Sequence, residues 1–90
     1  MSNYTVYSTD TFKKLYFILD GSEQLWINKI KKHLEENPTG KILHFKWFRE
    51  KKYLNKRLYY LIDEQSKKIL LIAFASKKEQ QKIINFIRAN

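Results

Sequence analysis

Between Lys68 and Ala75 the chain reads Ile-Leu-Leu-Ile-Ala-Phe, with no polar residue from Ile69 to Phe74. Successive side chains of a strand point to opposite faces, so this run is apolar on both. Such a segment needs cover above and below, which places it at the centre of a sheet. Its neighbours follow from the sequence. Arg57 to Ile62 is rich in aromatic and branched residues, and Asp63-Glu64-Gln65-Ser66 between the two segments reads as a hairpin connection. In that strand Arg57, Tyr59 and Leu61 share one face, and Leu58, Tyr60 and Ile62 the other. A further strand is expected over Ile42 to Phe48, with Leu43, Phe45 and Trp47 opposite Ile42, His44, Lys46 and Phe48. The polar stretch 49–55 is expected to be a loop or a ragged strand end.

The first half has a different period. Tyr4 to Ser8 alternates as a short strand. Ser8 or Thr9 then caps a helix carried by Phe12, Leu15, Tyr16 and Leu19 at spacings of three and four. Asp20-Gly21 is expected to stop it, glycine taking the left-handed conformation of a helix end. Ser22 opens a second helix with Trp26, Ile27, Ile30 and Leu34 on its apolar side, ended by Asn37-Pro38-Thr39-Gly40. Ser76-Lys77-Lys78-Glu79 has the form of a capping box, so a last helix with Ile83, Ile84 and Ile87 inward begins there. The expected fold is α+β, in the order β-α-α-β-β-β-α. It is a small curved, largely antiparallel sheet with an N-terminal helical hairpin and a C-terminal helix, one domain over residues 1–90.

Composition narrows the function. With 43% hydrophobic residues, only two glycines and one proline, the chain is neither a disordered tail nor a collagen-like repeat. It has no cysteine, which rules out disulfides and thiolate metal ligands. The start of the chain lacks a signal-peptide pattern and no apolar run approaches a bilayer span, so a cytoplasmic protein without membrane contact is expected. Charge is the positive clue. Eighteen Lys and Arg against nine Asp and Glu give a net +9, and six of those nine charges fall between Lys41 and Arg57. Phe45, Trp47, Phe48 and Tyr53 are interleaved with Lys46, Arg49, Lys51, Lys52, Lys56 and Arg57. Cations beside flat rings suit single-stranded nucleic acid, whose phosphates and bases they meet in turn.

Several segments together resemble a known family. A two-helix opening, Asn37-Pro38-Thr39-Gly40-Lys41, Phe48-Arg49-Glu50-Lys51-Lys52, Arg57-Leu58-Tyr59-Tyr60-Leu61-Ile62-Asp63 and Ala73-Phe74-Ala75-Ser76-Lys77-Lys78-Glu79 are similar, in order and spacing, to the RelE/ParE superfamily of bacterial and archaeal toxins. The resemblance runs from Tyr4 to about Ile87. It implies a toxin silenced by a cognate antitoxin, with the ribosome and mRNA as partners if the chain follows the RelE-type ribonucleases. The ParE branch instead implies a non-enzymatic inhibitor of gyrase, and a third reading is an RNA-binding module without catalysis. Arg57 matches the arginine that in the ribonuclease branch sits over the scissile phosphate. Lys78 is the nearest counterpart of a second catalytic arginine. Lys46, Lys51 and Lys52 lie where the family supplies lysines, with Phe48 and Glu50 on the strictly aligned positions.

RNA cleavage without a metal needs a proton acceptor for the 2′-hydroxyl, cations for the phosphate, and a proton for the leaving oxygen. Arg57, Lys78, Lys52, Lys51 and Lys46 are the catalytic candidates. Arg49, Lys56, Lys77, Tyr59 and His44 are candidates for RNA binding. His33 and His44 have no carboxylate at ligand spacing, so neither a metal nor another cofactor is expected. No carboxylate stands close to Arg57 in sequence, so its guanidinium is expected to be solvent-facing beside Lys46, Lys51, Lys52 and Lys78, and replaceable without loss of stability. Leu15-Tyr16-Phe17-Ile18-Leu19 is apolar all round its helix, which makes Tyr16 and Phe17 candidates for contact with a small, acidic antitoxin.

Overall fold

A computed structural model describes residues 3–89. The chain begins with strand β1 (Thr5–Ser8), helix α1 (Asp10–Phe17) and helix α2 (Gly21–Glu36). Four strands follow: β2 (Lys41–Leu43), β3 (Phe45–Tyr53), β4 (Lys56–Asp63) and β5 (Lys68–Ser76). A single 3-10 turn over Lys77–Glu79 leads into helix α3 (Gln80–Ala89). The sheet order is β1-β5-β4-β3-β2, antiparallel throughout except that β1 runs parallel to β5. The fold class is α+β, and the apolar run in β5 is interior to the sheet as its sequence requires.

The two faces are covered by different helices. Leu58, Tyr60, Ile62, Ile69, Leu71 and Phe74 pack with Phe12 of α1 and with Ile27 and Leu34 of α2. On the opposite face Leu43, Phe48 and Tyr59 are buried, with Ile83, Ile84 and Ile87 of α3 half-buried against them. Strand β5 has one extra residue, Ile72, opposite the Tyr59–Tyr60 step. Such a bulge resets the alternation. Ile69 and Leu71 therefore face α1 and α2, and so does Phe74, while Ala73 and Ala75 lie against α3.

Three local expectations are corrected. First, Gly21 does not end α1. It is the first residue of α2, whose N-cap is Asp20: the Asp20 carboxylate accepts from Glu23 N at 2.8 Å and the Glu23 carboxylate from Asp20 N at 3.2 Å. A reciprocal capping box satisfies two orphan amides at once, which outcompetes a glycine stop. Second, the Ser76 side chain makes no capping bond, and a 3-10 turn precedes α3. Thr9, in contrast, caps α1 as expected, accepting from Phe12 N at 3.0 Å.

Third, residues 42–48 are not one strand, and of the stretch 49–55, expected as a loop or a ragged strand end, residues 49–53 belong to β3 and only Leu54 and Asn55 form the turn into β4. The chain reverses at His44, with φ of 54°, and β3 then continues to Tyr53. Histidine is among the residues that tolerate this left-handed conformation. The reversal adds a strand to the expected order. It also makes the alternating Phe48, Glu50 and Lys52 a single face of β3.

Gly40 anchors the entry to this hairpin. Its φ of +145° suits glycine, and a Cβ there would run into the Tyr60 hydroxyl. Tyr60 is fully buried and donates that hydroxyl to Thr39 O, which ties the connection after α2 to the middle of β4.

Candidate nucleic-acid interface

Paired residues of an antiparallel ladder carry their side chains on the same face. The pairs Lys52↔Arg57 and Arg57↔Ala75 therefore form a row across β3, β4 and β5 on the α3 side of the sheet. The next row inward is Glu50, Tyr59 and Ala73. Just beyond the first row β5 ends, and Lys77 and Lys78 follow in the 3-10 turn, both exposed. Lys52 is exposed as well. The sheet end thus gathers Lys52, Arg57, Lys77 and Lys78.

Arg57 is not the free cation expected from the sequence. Its side chain is only 14% exposed and its Nε lies 3.5 Å from Glu50 Oε1, on a carboxylate 6% exposed. The same Oε1 accepts from Gln80 Nε2 at 2.9 Å, at the first turn of α3. Glu50 is the one charged residue buried among the described residues. A carboxylate in that position requires both a cation and hydrogen-bond donors, and the structure supplies each.

The remaining candidates separate. Lys51 pairs with Leu58, so it lies on the α1/α2 face, where its Nζ donates to Thr39 Oγ1 at 3.3 Å. Lys56 forms an ion pair of 2.7 Å with Glu23 of α2 and lies 5.4 Å from the Phe74 ring centre, so it joins α2 to the sheet. Arg49 donates from Nε to Lys46 O at 2.6 Å and from a terminal nitrogen to Gly40 O at 3.3 Å. Those carbonyls lie at the entry to β2 and in β3, so the arginine pins the β2–β3 hairpin to the connection before it. Lys46 lies six residues from Lys52 along β3, roughly 20 Å at the rise of a strand. It borders a groove of about 640 Å³ with Tyr7, Trp47, Leu61, Asp63 and Lys68. His44 is exposed in its turn, edge-on to Phe45 with ring centres 4.5 Å apart.

Tyr59 is also corrected. It is fully buried, with ring centre 6.4 Å from that of Phe48, and cannot stack on a base. Its hydroxyl has no hydrogen-bond partner among the described residues. Burial pushes the phenol up to about 12; the nearby Glu50 charge adds to the rise and Arg57 opposes it. Trp47 is stacked on Phe45 at 4.5 Å and remains 43% exposed. On α1, Tyr16 is half-buried and donates to Asn28 Oδ1 at 3.1 Å, while Phe17 is 78% exposed.

Glu50 and Gln80 were missed as site residues, because 49–55 read as irregular. The available signal was the alternation Phe48, Glu50, Lys52, which puts a carboxylate on the face that carries Arg57. What the arrangement can do chemically is hold anions. One guanidinium is paired with a buried carboxylate, and three exposed lysines lie at the same end of the sheet, Lys52 directly across the ladder and Lys77 and Lys78 in the turn after β5; cations so placed can offset charge on a phosphodiester. Among the described residues no group of His, Cys, Asp or Glu could hold a metal ion, and no helix is long and apolar enough to cross a membrane.

No protein-family model matches the chain, and no curated protein matches it. Solved structures do. A mutant of E. coli toxin RelE in the free state superposes with a TM-score of 0.76 at 14% identity, covering 88% of each chain. A chain of the RelBE2 toxin-antitoxin complex from Mycobacterium tuberculosis gives 0.71 at 20% identity, over 83% of this chain and 99% of that one. The archaeal RelE-RelB complex from Pyrococcus horikoshii gives 0.63 at 14% identity, over 83% and 96%. At these identities the likeness is one of fold: the chain has the RelE fold.

Proposed function

We propose that this RelE-fold chain is the toxin of a toxin-antitoxin pair and cuts messenger RNA at the sheet end bearing Arg57. The observation that carries the reading is the cluster of Lys52, Arg57, Lys77 and Lys78, with the arginine held on a buried carboxylate. The fold adds to it, since the structural neighbours are described as RelE toxins and as RelE-RelB complexes. In the proposed reaction the 2′-oxygen of a ribose attacks the adjacent phosphorus. Its proton passes to a base, and the 5′-oxygen leaves with a proton. Arg57 and its lysine neighbours stabilise the added charge on the phosphate, a contribution of about 10²–10³ in rate for one well-placed donor.

The ribosome would present the message, and both are cytoplasmic. A small acidic antitoxin would attract a chain of net charge +9 at long range and cover apolar surface such as Phe17 at close range. Inducible expression followed by primer extension on a cellular message tests the reading. Discrete new 5′ ends that disappear in Arg57→Lys are expected. Growth arrest with intact messages and damaged DNA would instead support an inhibitor of gyrase. RNA binding without cleavage would leave a binding module.

A further inference from the structure

Most cations of this chain are exposed, and the buried part of the face on which Arg57 lies is largely apolar, with Phe48, Tyr59, Ala73 and Ala75 close by and Lys52 at its exposed edge. A carboxylate here is costly, since a buried ion pair seldom stabilises a protein more than apolar residues of equal size would. Its placement is nonetheless over-determined. Glu50 Oε1 faces Arg57 Nε at 3.5 Å and accepts from Gln80 Nε2 at 2.9 Å. Tyr59, its direct cross-strand partner, fills the sheet beside it. The carboxylate meets the guanidinium on its Nε side. Phosphate recognition by arginine relies on two parallel N–H donors in a fixed plane, and an arginine free to rotate loses that geometry.

We propose that Glu50 is a positioning residue for the RNA site, holding Arg57 by its Nε edge so that the terminal nitrogens are presented to a phosphodiester. Gln80 serves the same purpose one step removed, by fixing the carboxylate. The proposal rests on the reading that Arg57 meets an RNA phosphate. It opposes the simpler role of Glu50 as a charge that neutralises the arginine. The two roles differ in sign. A neutralising carboxylate weakens the contribution of Arg57 to binding, whereas a positioning one creates it.

A double-mutant cycle separates them. Binding of a short fluorescent oligouridylate is measured for the parent, Arg57→Lys, Glu50→Gln and the double variant. The lysine keeps the charge, so the cycle reads geometry. Arg57→Lys is expected to weaken binding about tenfold in the parent, the scale of one charge-assisted bond, and less than about threefold beside Glu50→Gln. An equal or larger cost beside Glu50→Gln overturns the proposal. A second measurement needs neither RNA nor a foldable Glu50 variant. The Nε–Hε signal of Arg57 in ¹⁵N spectra should be protected from solvent exchange in the parent and lose protection in Gln80→Leu. A signal equally protected in both also overturns the proposal. The nuclease reading stands or falls separately. Strong coupling with intact messages refutes cleavage and upholds Glu50, whereas cleaved messages without coupling do the reverse.

Discussion

Arg57→Ala should destabilise the folded chain, contrary to what an exposed active-site cation would do. Truncation leaves the Glu50 carboxylate, 6% exposed, with the Gln80 amide as its remaining donor. Removing one member of a fully buried ion pair costs about 3–5 kcal/mol, much of it the stranded charge. Arg57 keeps 14% of its side-chain surface and Gln80 stays in place, so the lower figure of about 2–3 kcal/mol applies. A chain of this length has roughly 5–13 kcal/mol of total stability, so the variant remains folded. At about 4–8 °C per kcal/mol for a domain this small, its midpoint should fall by roughly 10–20 °C. Urea denaturation of parent, Arg57→Ala and Arg57→Ala/Glu50→Gln provides the assay. The double variant buries a neutral amide in place of the stranded charge and should recover most of the loss. If Arg57→Ala lies within about 0.5 kcal/mol of the parent, the range of ordinary surface substitutions, the pair is a solvated contact and the reasoning fails. If the double variant is as unstable as the single one, the loss comes from packing and not from the carboxylate.

Single-stranded RNA binding should depend on salt through three to four phosphate contacts, those of Lys52, Arg57, Lys77 and Lys78. That gives a logarithmic slope of about −2 to −3 and a loss of roughly 20–60-fold between 50 and 200 mM salt. A slope near zero would remove the sheet end as the RNA face. Gly40→Ala should cost about 2–3 kcal/mol by thermal melting, because the new Cβ meets the Tyr60 hydroxyl on a backbone that favours glycine. Burial pushes the Tyr59 phenol up from 10.0 to about 12. A raised folded value means its share of stability is intact below pH 10 and is lost as pH rises toward 12, so the chain should weaken through that window in alkaline melts. Tyr59→Phe should narrow that loss and, by deleting a hydroxyl with no partner among the described residues, gain about 1 kcal/mol at neutral pH.

The elements legible in the sequence are those whose signal is local. The apolar run from Ile69 to Phe74 shows its own burial on both faces, and the Asp63–Ser66 turn shows its chemistry, since the Asp63 carboxylate accepts from Gln65 N at 3.1 Å and Ser66 N at 3.3 Å. Helices α1 and α2 follow from spacing and caps. The β2–β3 reversal was hidden because a single residue, His44, makes the turn without glycine or proline. A seven-residue alternation across it looks like one strand. Once that boundary was misplaced, the polar residues after Phe48 lost their strand period, and the face shared by Glu50 and Arg57 went unseen.

Charge in a sequence is also a poor guide to charge at a site. The segment from Lys41 to Arg57 looks like one basic surface, but strand pairing divides it between two faces and two ends of the sheet. Lys56 is used to fasten α2, Arg49 to pin a hairpin, and Lys51 to reach Thr39. Each of these cations supports the fold. Conversely, Lys77 and Lys78 lie twenty or more residues beyond the segment, yet the ladder Lys52↔Arg57↔Ala75 leads to the turn that carries them. The site is therefore assembled by register. A one-residue slip of β3 against β4 would turn Lys52 and Glu50 to the other face and leave Arg57 without either neighbour. What holds that register is apolar: Phe48 and Tyr59 on one side, Leu58 and Tyr60 on the other, all fully buried. The core that makes the sheet stable is thus also what places the carboxylate beside the arginine.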